Sequence, residues 1–259
     1  MSETELTFRK SEASNGSVHW RSTESLVALG GGRSIWAEQF RRLKNVLSTG
    51  ERAAARVVVV TSPVPGDGKT FVAANLALAL SAAPGTRVLL IDADLRRPTI
   101  DRMLLPRPQA GLVQVVERGD PVGSVLVRPE GCVLDVLPSG APVDDPLRIL
   151  TTSACPDLFK ALRVRYDRII VDTSPIGPFT DADVLGGMSD GILMVVRAQY
   201  TPKAMYKAAL EHIHSARVLG TVLNAATKSV LDTESYYGSY YKGYDKAPAS
   251  DPPADGGSR

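Results

Sequence analysis

Val57-Val58-Val59-Val60-Thr61-Ser62-Pro63-Val64-Pro65-Gly66-Asp67-Gly68-Lys69-Thr70 is a continuous apolar run that opens into a glycine-containing loop, and an Ala/Leu-rich segment follows over residues 70–81. A short run of β-branched residues reads as a buried strand, and the segment beyond the loop reads as a helix. A turn from strand to helix through such a loop aims backbone N–H groups and the positive end of the helix dipole at one point, where an anion is favoured. Gly66 and Gly68 let the backbone approach phosphate closely, Lys69 can reach the outer phosphates, and the Thr70 hydroxyl can ligate magnesium. The expected phosphate cradle is therefore Pro65, Gly66, Asp67, Gly68, Lys69, Thr70 and Phe71. Pro63 stands where the pattern G-x-x-x-x-G-K-[ST] has its first glycine, so a proline-bearing turn ahead of Gly-Lys-Thr is the plainer alternative.

Two further apolar runs end in carboxylates. Val88-Leu89-Leu90-Ile91-Asp92-Ala93-Asp94-Leu95-Arg96 places Asp92 and Asp94 two apart, on one side of the chain if the strand continues through them. They could hold magnesium or accept a proton from an attacking hydroxyl, and Arg96 could neutralise phosphate charge. Loop chemistry alone also explains Asp-x-Asp at a strand end. Arg168-Ile169-Ile170-Val171-Asp172-Thr173-Ser174-Pro175 repeats the pattern, with Asp172 where such sites bind magnesium directly or through water, or else a surface turn encouraged by Ser-Pro. In one parallel sheet, all three strands deliver this chemistry to the same C-terminal edge, where open α/β folds bind ligands.

Outward from these runs, short apolar stretches alternate with longer amphipathic ones. Strands are expected over residues 57–61, 88–92, 133–137, 168–172, 191–196 and 218–223, and helices over 34–48, 70–81, 157–164 and 202–216, with a short one over 112–117. That alternation predicts an α/β fold with a mainly parallel central sheet flanked by helices on both faces. A formal charge of +2 on 259 residues, without a long Lys/Arg block, gives no footprint for nucleic acid. Residues 1–10 are polar and lack a signal peptide's apolar core, and no run of about 18 apolar residues suggests a membrane span. A cytoplasmic protein is the expectation. Cys132, expected in a strand, and Cys155, near a helix start, have no metal-spaced neighbours, and His212 and His214 fall on different faces of a helix.

The Ser-, Glu- and Gly-rich residues 1–33 read as a flexible leader. Residues 229–259 read as a flexible tail that contains Glu234-Ser235-Tyr236-Tyr237-Gly238-Ser239-Tyr240-Tyr241-Lys242-Gly243-Tyr244. Tyr236, Tyr240 and Tyr244 are spaced for a helical stripe, but Gly238 and Gly243 would each cost that helix about 1 kcal/mol relative to alanine. Accessible hydroxyls are the better reading. Tyr166, Tyr200 and Tyr206 lie in or beside structured segments and read as packing residues.

Together these segments resemble the bacterial tyrosine kinase (BY-kinase) family of P-loop NTPases over about residues 34–224, and the tyrosine-rich tail adds to the likeness. Residues 61–70 resemble its Walker A loop, with Asp67 in place of the usual Glu; Asp92-Ala93-Asp94-Leu95-Arg96 resembles Walker A′; Asp172-Thr173-Ser174-Pro175 resembles Walker B, with Ser174 for a commoner proline. Thr180-Asp181-Ala182 and Leu219-Gly220-Thr221-Val222-Leu223-Asn224 are similar to family segments, the latter implying that Asn224 lies near adenine. Glu38-Gln39-Phe40-Arg41-Arg42-Leu43-Lys44 resembles the family's E-x-x-R-x-x-R, which implies ring-forming contacts through Glu38, Arg41 and Lys44, although lysine lacks the arginine fork. A solvated helix face with an i,i+3 pair is the plainer reading of that segment.

The resemblance implies a protein-tyrosine kinase in residues 34–228 that uses ATP and Mg2+, with Lys69, Asp92, Asp94 and Arg96 catalytic and with Thr70, Asp92 and Asp172 at the metal. Tyr236, Tyr237, Tyr240, Tyr241 and Tyr244 are the implied phosphoacceptors. The implied partners are a transmembrane polysaccharide co-polymerase that activates the kinase and recruits it to the inner face of the membrane, further copies of the chain, and a tyrosine phosphatase that reverses the reaction. The implied process is polysaccharide polymerisation and export. A partitioning ATPase of MinD/ParA type is the alternative, but such proteins carry a second lysine where this chain has Val64. A nucleotide-dependent assembly protein is another.

Overall fold

A computed structural model describes residues 17–21, 26–28 and 35–226. Its strands are β1 (His19–Trp20), β2 (Val57–Thr61), β3 (Val88–Asp92), β4 (Leu104–Leu105), β5 (Leu134–Leu137), β6 (Arg168–Asp172), β7 (Gly191–Arg197) and β8 (Val218–Asn224). Its helices are α1 (Ile35–Leu47), α2 (Lys69–Ser81), α3 (Ile100–Met103), α4 (Leu112–Arg118), α5 (Val122–Val125), α6 (Pro146–Thr151), α7 (Ala154–Arg165), α8 (Asp181–Gly186) and α9 (Lys203–Glu211).

Six strands form one sheet in the order β5-β3-β6-β2-β7-β8, and every neighbouring pair is parallel. Successive side chains on a strand face opposite sides. Val58, Val60, Leu90 and Ile170 therefore enter one core with α1 and α2, while Val57, Val59, Leu89, Ile169 and Val171 enter another with α4, α6 and α7. Burial on both faces is why these strands read as continuous apolar runs. Helix α2 is buried along nearly its whole length, which explains an Ala/Leu composition without a polar stripe.

The register delivers the carboxylates to one edge. Val60 lies opposite Asp172 and Asp92 also lies opposite Asp172, so β6 sits between the strand that enters the glycine loop and the strand that ends in Asp92.

Several boundaries differ from the expectations. Helix α9 stops at Glu211 rather than continuing to 216, because Asp183 accepts hydrogen bonds from the backbone N–H groups of His214 (2.8 Å) and Ser215 (2.9 Å) and turns the chain out of the helix. Cys132 precedes β5 instead of lying in it, and Val133 is exposed. Within the stretch read as a leader, His19–Trp20 pairs antiparallel with Leu104–Leu105, and Trp20 and Leu26 join the core. Isolated apolar residues without a period carried no sign of this packing. The Ser34 cap and the tyrosine-rich tail lie outside the described residues. Among the described residues, no helix is long and apolar enough to cross a membrane.

Candidate nucleotide site

The loop between β2 and α2 has the backbone its glycines predict. Gly66 has φ +89° and Gly68 has φ +91°, the left-handed region open to glycine. A Cβ on Gly68 would meet the Asn224 Nδ2 at 2.1 Å, and that nitrogen donates to the Asp67 carbonyl at 2.8 Å. Asn224, at the end of β8, thus braces the loop from the side. Asp67 is fully buried: its Oδ2 accepts the Val64 N–H at 3.2 Å and its Oδ1 accepts the Thr201 hydroxyl at 2.5 Å. Its carboxylate therefore shapes the loop from beneath. At Pro63, where the pattern has glycine, the close approach is permitted by the neighbouring loop instead, since a Cβ on Gly177 would meet the Pro63 carbonyl oxygen at 2.3 Å. Pro65 and Gly66 are exposed, and Phe71 packs edge-on against Phe40 at a centroid distance of 5.7 Å.

Beside the loop, the Lys69 ammonium pairs with Asp94 Oδ2 at 2.8 Å. Burial alone would lower the Lys69 pKa, but the charges of Asp172, Asp94 and Asp92 raise it overall, so the ammonium stays charged. Asp172 is fully buried, and neither of its oxygens completes a hydrogen bond. Burial pushes its pKa up to about 7 against the opposing pull of Lys69 and the nearby Thr70 hydroxyl. An orphaned buried carboxylate next to a threonine hydroxyl is the chemistry a hard divalent cation satisfies. Among the described residues, no three His, Cys, Asp or Glu side chains converge to hold a metal. A cation here would take most of its ligands from phosphate and water, as magnesium does.

Asp92 is engaged differently. Its Oδ1 accepts the Asp94 N–H at 3.2 Å and its Oδ2 accepts the N–H groups of Ile100 at 2.9 Å and Asp101 at 3.4 Å. Burial and the neighbouring carboxylates push its pKa well above the usual range. Asp101 in turn accepts the Ser139 hydroxyl at 2.8 Å, tying the loop after β5 to the same network.

Arg96 forms a two-point pair with Asp181 (2.7 and 3.0 Å) and lies 4.1 Å from the ring centroid of Phe179. Asp181 is fully buried and also accepts the Ser174 hydroxyl at 2.9 Å. Its importance was foreshadowed only by the Thr180-Asp181-Ala182 segment. Tyr200, read as a packing residue, is instead exposed over the loop: its hydroxyl donates to the Pro65 carbonyl at 3.4 Å, and Arg197 lies 5.2 Å from its ring centroid. No local pattern marks Thr201, Tyr200 or Gly177 as loop supports, because each acts across a long sequence separation. Tyr166 is buried with its hydroxyl on Asp135 at 2.9 Å, and the Tyr206 hydroxyl bonds that of Thr221, both consistent with packing.

On α1, Glu38 and Arg41 pair within the helix at 2.7 Å, and Lys44 lies a turn further on. Tyr236, Tyr237, Tyr240, Tyr241 and Tyr244 lie outside the described residues.

The family model for an AAA domain matches residues 55–217. The tyrosine-protein kinase YwqD of Bacillus subtilis is 31% identical over 222 residues, covering 85% of this chain and 93% of that one. The succinoglycan biosynthesis transport protein ExoP of Rhizobium meliloti is 33% identical over 238 residues, covering 84% of this chain but only 30% of ExoP. Among solved structures, the chimerical protein CapA2B2 superposes with a TM-score of 0.73 at 30% identity, covering 82% of this chain and 93% of that one.

Proposed function

Because this chain belongs to the bacterial tyrosine-protein kinase family, on an AAA-type P-loop domain, we propose that it transfers the γ-phosphoryl group of ATP to tyrosines of its own C-terminal segment, Tyr236, Tyr237, Tyr240, Tyr241 and Tyr244, on a neighbouring copy. The observation that carries the reading is the charged pair of Lys69 and Asp94 beside the orphaned carboxylate of Asp172. Lys69 and the N–H groups from Gly66 to Phe71 hold the phosphates, and Asn224 keeps the loop in its cradle shape. Thr70 and Asp172 would hold magnesium, which when bound would supply positive charge to the nucleotide's phosphates.

Lys69 exchanges Asp94 for incoming phosphate, and Asp94 is left to take the proton of the tyrosine hydroxyl. The phenol oxygen then bonds to the γ-phosphorus as the bond to the β-phosphate oxygen breaks and ADP leaves. Three backbone N–H bonds to Asp92 support assigning it to holding the Asp94 turn, with Asp94 as the base. The two-point bond to Asp181 supports Arg96 as a fixed positive charge at the site's edge. Most of the rate gain comes from positioning and charge.

The activator is proposed to be a transmembrane polysaccharide co-polymerase that brings the kinase to the inner face of the membrane, with a tyrosine phosphatase reversing the reaction and a homo-oligomer built through Glu38, Arg41 and Lys44. Incubation with labelled ATP and Mg2+ is expected to label the C-terminal tyrosines, and Lys69→Met is expected to reduce labelling about 100-fold or more. Equal labelling of that variant, or ADP release with no labelled tyrosine, overturns the kinase reading, the latter in favour of an ATPase switch.

A further inference from the structure

At the opposite edge of the sheet, a cleft of about 340 Å³ has Lys44, Arg56, Asp167 and Arg168 in its lining. Arg56 precedes β2 and Arg168 begins β6, so the cleft lies at the far ends of the two strands that carry the glycine loop and Asp172. Five residues of strand separate the two places by about 16 Å.

Both guanidinium groups are held in place by backbone carbonyls rather than by carboxylates. Arg56 donates to the carbonyls of Arg163 (2.6 Å) and Tyr166 (2.7 Å), and Arg168 donates to those of Ala53 (3.0 Å) and Ala55 (2.6 Å). Those bonds fix the groups without neutralising them, and each guanidinium keeps further N–H donors. The Lys44 side chain makes no ion pair or hydrogen bond among the described residues. The carboxylate in the lining, Asp167, is already engaged at two points by Arg87, and its pKa is lowered to about 2, with that Arg87 bond as the main favourable cause.

The C-terminal ends of α1 and α2 face this edge with about half a negative charge each. The end of α7, whose last carbonyls accept from Arg56, adds a third half-charge, and setting all three and Asp167 against Lys44, Arg56, Arg87 and Arg168 leaves a surplus of about one to two positive charges. An uncompensated surplus of this size repels itself, and a dianion relieves it. A phosphate monoester carries about −1.5 to −2 at neutral pH and suits the open edges of an arginine fork. The Ser48 and Thr86 hydroxyls add donors, and Ala53, Leu80 and Ala83 offer an apolar floor for the ester's organic body.

We propose that this cleft binds a small phosphate monoester, at a site separate from the nucleotide loop. The test is calorimetric titration of the full chain with phenyl phosphate, in parallel with benzoate, which has the same ring and a single charge. Phenyl phosphate is expected to bind one per chain, with equal affinity in the wild type and in Lys69→Met, and benzoate about tenfold more weakly or worse. Lys44→Met removes a side chain with no partner within the chain among the described residues, so the fold of each chain is expected to stand, and binding is expected to weaken about tenfold whether or not the copies stay assembled. Arg168→Gln is expected to weaken it further. The proposal is overturned if the wild type does not bind, if benzoate binds equally, if binding disappears in Lys69→Met, or if Lys44→Met and Arg168→Gln both bind as the wild type does.

Discussion

Asp172 is fully buried at the end of β6 with both oxygens unpartnered, an arrangement that costs folding free energy whenever the carboxylate is charged. Its folded pKa of about 7 lies above the unfolded value of 3.8. The folded state therefore binds more protons than the unfolded state between those values, and metal-free stability falls as pH rises through that window. Asp172→Asn removes the titration. In urea melts without metal, the variant is expected to gain stability over the wild type progressively from about pH 4 to about pH 7 and to hold a constant margin above. Mg2+ and ATP together are expected to stabilise the wild type and to add no such stability to the variant. A variant less stable than the wild type at pH 8 would show that Asp172 already has a partner. The residue types at the site were legible in the sequence: Lys69, Thr70, Asp92, Asp94 and Asp172 were all marked by their places at the ends of apolar runs. Their division of labour was not, because Asp92 and Asp94 are two apart in sequence yet one carboxylate receives three amides and the other receives Lys69.

At the scale of elements, α2 ties the glycine loop to the core. Leu76, in the middle of that helix, is fully buried against the sheet. Leu76→Ala is expected to cost about 2–5 kcal/mol, read as a lowered urea midpoint with an unchanged slope. The long elements were legible because their patterns are strong: the apolar runs predicted β2, β3 and β6 with their observed bounds. Short elements were not. Helices α3, α5, α6 and α8 span only four to six residues each, too few for a helical period to show. Helix α9 ends short of the expected residue 216 for a different reason: Asp183, on another helix, takes the N–H groups that would have extended it.

Over the whole molecule, the proposed acceptor tyrosines and the nucleotide site need not belong to the same copy. If transfer runs between copies, Lys69→Met chains mixed with a catalytically intact chain truncated after residue 228 are expected to become labelled on tyrosine by ATP. Unlabelled Lys69→Met chains in that mixture would restrict transfer to a single chain. By itself, the sequence determined the strand-loop-helix unit, the two further strands ending in carboxylates, and the α/β class, since each follows from local periodicity and from what glycine, lysine and aspartate can do. Only the tertiary structure decided that β6 lies between β3 and β2, which sets Asp172 beside both Asp92 and the glycine loop. It likewise decided that Thr201 and Asn224 brace that loop and that Trp20 and Leu26 belong to the core. The physical reason is that neighbours in a parallel sheet are joined by long crossovers, so their order is settled by how helices pack on the two faces and not by any local preference of the chain.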